Sequence, residues 1–107
     1  MNIQLTAKKI DIPQDIREYA KEKFSKLEKF NSNIQNIEVV IKAEERSIAC
    51  EAIIHLDKHD PIVITVESDT IQAAVDLAES KAERQLRKSK ERDSVRRRAK
   101  PEERDMP

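Results

Sequence analysis

Glycine and tryptophan are both absent from the 107 residues. Without glycine the chain has no loop of the kind that cradles a nucleotide phosphate ahead of a helix. One tyrosine and two phenylalanines are the only aromatic residues, too few to stack a run of unpaired bases. The single cysteine, Cys50, excludes an intramolecular disulfide and fits a reducing compartment. No stretch approaches the roughly 20 apolar residues that span a bilayer. The opening Met1–Thr6 lacks the basic start and apolar run of a signal peptide. The expectation is a soluble cytoplasmic protein of one domain. Its length lets it bury roughly two-thirds of its unfolded surface, so stability needs neither a disulfide nor a metal.

Net charge is absent as well: 21 basic residues balance 21 acidic ones. The balance hides a segregation. Residues 31–80 hold three basic residues against ten acidic ones, whereas residues 84–100 hold nine basic residues against Glu91 and Asp93. Separated signs can steer one face toward a polyanion while the whole stays neutral.

Alternation of apolar and polar residues predicts four strands. Ile3, Leu5 and Ala7 form the first buried row, and Ile37, Val39 and Ile41 the second. Ile48, Cys50, Ala52, Ile54 and Leu56 make the third, then Ile62, Ile64 and Val66 the fourth. Two stretches carry helical spacing instead. Ile16, Ala20, Phe24, Leu27 and Phe30 predict a helix of about four turns, with Pro13 at its first position and Asn31-Ser32-Asn33 as its stop. Ile71, Val75, Ala78, Ala82 and Leu86 predict a second helix to about residue 95, entered through a capping box of Asp69 and Gln72. Residues 96–107 are charged, carry two prolines, and read as a disordered tail after a 1–95 domain.

The order is therefore β-α-β-β-β-α, an α+β fold. A strand–helix–strand crossover makes the first two strands parallel, and short breaks make the remaining hairpins antiparallel. One four-stranded mixed sheet results, with both helices on its apolar face and Glu38, Lys42 and Glu51 on the wet one.

A helix advances about 100° per residue. Lys81, Arg84 and Lys88 then share one flank of the second helix, with Arg92 continuing the row, and Asp76, Glu79 and Glu83 share the other. Lys23 and Lys26 border the apolar face of the first helix. If the basic flanks face each other, they form a positive cleft for structured RNA, read by shape and backbone. Helices rich in Lys, Arg and Glu are as often simply solvated, and composition leaves both readings open. His55 and His59 near Asp57 and Asp60 fit a solvated turn better than a metal site. Cys50 reads as a buried small residue, not a catalytic thiol. No constellation of catalytic groups is evident, and no cofactor or small-molecule substrate is implied.

The opening Met1–Thr6, the segments Ile16–Tyr19 and Lys23–Phe30, and above all Ala73–Asp76 with Lys81–Lys90, resemble the bacterial ribosome hibernation promoting factors. That family includes the ribosome-associated inhibitor once called sigma-54 modulation protein. The resemblance covers about residues 1–92. It implies a double-stranded-RNA-binding-like fold lodged between head and body of the small ribosomal subunit. There it overlaps the messenger and transfer RNA sites, stopping translation and preserving idle ribosomes under stress. It implies RNA contacts from Lys23, Lys26, Lys29, Lys81, Arg84, Arg87 and Lys88, although Lys29 lies off the α-helical flank. Two departures stand out. Gln72 occupies a place where the family often has an aromatic residue, and Asp57-Lys58-His59-Asp60 replaces the usual glycines of the last hairpin. The second domain of long members has no counterpart in these 107 residues, so the chain resembles a short form. Two other readings remain: a general structured-RNA binder, and a protein adaptor that uses Glu38 and Glu51 on the sheet.

Overall fold

The computed structural model describes the backbone of residues 2–99 and the side chains of residues 2–88. Four strands and two helices follow in the expected order: β1 (Asn2–Lys8), α1 (Gln14–Ser25), β2 (Ile34–Ala43), β3 (Ile48–Leu56), β4 (Ile62–Ser68) and α2 (Ile71–Ala99). The sheet runs β1-β2-β3-β4, with β1 and β2 parallel and the other pairs antiparallel.

The apolar rows read from alternation face one another across the register. Ile37 lies opposite Ile3 on one side and Ile54 on the other, and Ile41 lies opposite Ala7 and Cys50. Ile37, Val39, Ile41, Cys50, Ala52 and Ile54 are sealed from solvent by the helices. An irregularity between Ile34 and Asn36 shifts the pairing there, so Ile34 joins the core although its parity differs from that of Ile37. From the helices come Ala20, Phe24, Leu27, Val75, Leu86 and a row of alanines, Ala74, Ala78 and Ala82. Their small side chains let α2 settle close against β3 and β4.

Several local details differ from expectation. Pro13 is the N-cap of α1, not its first helical residue, and its carbonyl accepts from the Arg17 N–H at 3.0 Å. The α-helix stops at Ser25 and a 3-10 turn, Lys26–Phe30, completes the segment. The half-buried stop works as an Asx turn, with Asn31 Oδ1 accepting from the Asn33 N–H at 2.8 Å. At the start of α2 the cap is Thr70, whose Oγ1 accepts from the Ala73 N–H at 3.1 Å. The hydroxyl one position beyond Asp69 thus meets the third N–H of the helix. With no glycine available, Lys9 and Lys58 take the left-handed backbone region, φ 62° and 66°.

Helix α2 continues to Ala99, so the boundary expected after residue 95 falls within it; residues 100–107 lie outside the described residues. Twenty-nine residues make α2 about 44 Å long, yet Leu86 is its last buried side chain among the described residues.

Candidate nucleic-acid interface

The helical layer carries most of the candidate cations, and contacts between the helices decide how they are grouped. Asp76 of α2 meets α1 directly. Its Oδ1 accepts from the Tyr19 hydroxyl and lies 3.5 Å from Lys23 Nζ. Lys23 Nζ also stands 5.8 Å from the centre of the Tyr19 ring. Burial works against the charged form of Lys23, yet Asp76, Tyr19 and Glu79 outweigh it and raise its pKa.

One and two turns further along, Glu79 and Glu83 lie on the same side. Glu79 is only 8% exposed. Burial, and then the neighbouring Glu83 carboxylate, hold its pKa above the usual range despite Lys23 and Lys26 nearby. Glu83 accepts from Arg87 at 2.9 Å. The Arg87 guanidinium lies 5.0 Å from the centre of the Phe30 ring, and Lys29 Nζ lies 5.3 Å from it, both within cation–π range.

The basic side of α1 thus faces the acidic flank of α2. The positive cleft expected between the helices is instead a charge-paired seam. The reason is angular: Asp76, Glu79 and Glu83 turn toward α1, which puts Lys81, Arg84 and Lys88 about 140° round the helix, on its outer flank. All three are exposed.

Two cationic rows result. The outer row is Lys81, Arg84 and Lys88 on α2. The inner row runs along α1 and its 3-10 turn as Lys23, Lys26 and Lys29, with Arg87 reaching it from α2. The 3-10 geometry matters here, because at three residues per turn Lys26 and Lys29 eclipse one another. This brings Lys29 into line with Lys26, although an α-helical count sets it aside. Arg92 lies on α2, where side chains are outside the described set.

Sequence reasoning missed the anionic partners of the inner row, Asp76 and Glu83, together with the role of Phe30 as a platform for two cations. Half-buried Tyr19 and Phe30 at the edge of the apolar stripe were the available signal. On the far side of the sheet Glu38 and His55 form a pair at 2.6 Å, so Glu38 is already engaged. Among the described residues no cluster of three metal-ligating groups occurs, and no helix is long and apolar enough to cross a membrane.

The model of the family described as sigma 54 modulation protein / S30EA ribosomal protein matches residues 3–94. The chain belongs to this family. A ribosome hibernation promoting factor of Azotobacter vinelandii is 30% identical over 92 residues, 86% of this chain and 85% of that protein. One from Escherichia coli K12 is also 30% identical, over 86% of this chain and 96% of that one. Among solved structures, a ribosomal subunit interface protein from Coxiella burnetii superposes with a TM-score of 0.78 at 30% identity, covering 84% of this chain and 98% of that one. The N-terminal domain of Thermus thermophilus Protein Y shares the fold, with a TM-score of 0.74 at 22% identity over 83% and 99% of the two chains. The matched span takes in α1, α2 as far as residue 94, and both cationic rows.

Proposed function

We propose that this protein is a ribosome hibernation factor of the cytoplasm. It binds ribosomal RNA of the small subunit and stops translation by occupying the sites of messenger and transfer RNA. The observation that carries this reading is the set of exposed cations on the helical layer of a chain in this family, Lys81, Arg84 and Lys88 in the outer row and Lys26, Lys29 and Arg87 in the inner one. The names of its relatives, ribosome hibernation promoting factor and ribosomal subunit interface protein, support the partner.

The chemistry is neutralisation. Each cation that meets a phosphate releases condensed counterions, and that release drives association at moderate salt. Arg84 can hold two phosphate oxygens at once through its planar fork, whereas Lys26, Lys29, Lys81 and Lys88 act as point charges. Arg87 already meets Glu83 and the Phe30 ring, and its remaining N–H groups can still donate to phosphate. Occlusion is steric and requires no catalytic group. Arg92 would extend the outer row.

The test is sedimentation of the purified protein with small subunits, large subunits and whole ribosomes at physiological salt. The expected result is co-sedimentation with small subunits and whole ribosomes, but not with large subunits. The double reversal Arg84→Glu and Lys88→Glu should abolish association and leave the thermal transition in place. Unchanged binding by that variant would sink the site assignment. Equal affinity for free duplex RNA would favour a general structured-RNA binder instead.

A further inference from the structure

Contacts between the helices converge on one carboxylate oxygen. Tyr19 and Lys23, one turn apart on α1, both reach Oδ1 of Asp76 on α2. Tyr19 is packed against the core and its hydroxyl fixes the carboxylate. The carboxylate and the Tyr19 ring together flank the Lys23 ammonium. The Lys23 side chain keeps 32% of its exposure and that of Asp76 keeps 43%. An ammonium has three N–H donors, and this arrangement engages one side of it. Lys26 and Lys29, by comparison, are exposed on the 3-10 turn without such a clasp among the contacts described.

A lysine stem is flexible, and its rotamer freedom is lost when the ammonium settles on a phosphate. A group already ordered in its working position loses less on binding. We propose that Tyr19 and Asp76 are positioning residues that hold the Lys23 ammonium ready for a phosphate of the RNA partner. The inference rests on the RNA-binding reading above and deepens it. The opposite role for Asp76, a carboxylate that competes with phosphate for Lys23, predicts the opposite sign and is separated by the test.

The experiment is a double-mutant cycle on small-subunit affinity, with the titration of the Lys23 ammonium followed by NMR in the free protein. Tyr19→Phe and Asp76→Asn should each weaken binding roughly fivefold, the scale of one exposed charge pair. In a Lys23→Ala background neither change should weaken it further. The Lys23 ammonium should titrate above ordinary lysine in the parent chain and lower in Asp76→Asn. An equal loss from Tyr19→Phe in both backgrounds would mean a structural role and overturn the proposal. Tighter binding by Asp76→Asn, or an unmoved Lys23 titration, would overturn it too. If Lys23→Ala and the Arg84→Glu, Lys88→Glu pair all left affinity unchanged while the titration still shifted, the RNA-binding reading would have failed with the clasp intact.

Discussion

Glu79 is the residue whose environment most opposes its ordinary state. It is nearly buried in the seam, and burial with the adjacent Glu83 raises its pKa above that of an unfolded glutamate. An acid whose folded pKa is raised contributes stability while protonated and loses it as pH climbs through the folded value. Glu79→Gln should therefore be more stable than the parent chain at pH 7, with the gap closing below about pH 4, where the unfolded carboxylate also protonates. Urea unfolding at the two pH values measures it, and a gap independent of pH would refute the assignment. Cys50 is the second case. Fully buried between β2 and β4, its thiol is pushed up to about 12 by burial, with Glu51 adding to the effect. The thiolate is the reactive form, so a thiol reagent at pH 8 should label Cys50 at the rate of unfolding. Prompt labelling of the folded chain would contradict the packing.

The elements owe their ends to single side chains. Thr70 satisfies the Ala73 N–H at the start of α2, and Thr70→Ala should lower stability by about 1 kcal/mol, whereas Asp69→Ala should change it far less. Thermal unfolding of the two variants decides which residue caps the helix. Phe24 sits on α1 with none of its surface exposed, and Phe24→Ala should cost about 3–5 kcal/mol through the cavity it leaves. The 3-10 turn decides where two cations stand. It keeps Leu27 buried and Phe30 half-buried on one side while Lys26 and Lys29 line up outside. A sequence periodicity of 3.6 misplaces Lys29 because the tighter turn depends on how the chain enters the Asn31 stop.

For the whole molecule the charge balance is zero, yet affinity for a polyanion depends on where the cations stand. Affinity for small subunits should fall steeply with salt. Lys26→Ala, Lys29→Ala, Lys81→Ala or Lys88→Ala should each flatten the logarithmic salt dependence by roughly 0.7–0.9, the share of one released counterion. A variant that weakens binding with an unchanged slope would instead point to lost shape or packing.

Most of the fold was legible in the chain. Period-two rows marked β1 to β4, period-3.6 rows marked both helices, and the crossover rule made β1 and β2 parallel. Those features are local or follow from chain direction, so neighbouring residues suffice to determine them. The membership of each flank of α2 was equally legible, since angle along one helix is a local property. Which flank meets α1 was not. That depends on how two helices lie side by side on the sheet, and only tertiary packing decided that Asp76 would pair with Lys23 and that Glu79 would lie near Lys23 and Lys26, while Glu83 pairs with Arg87 along α2. The sequence alone determined the elements and their charges; the packing of the helices decided which charges meet across the two helices and which face outward.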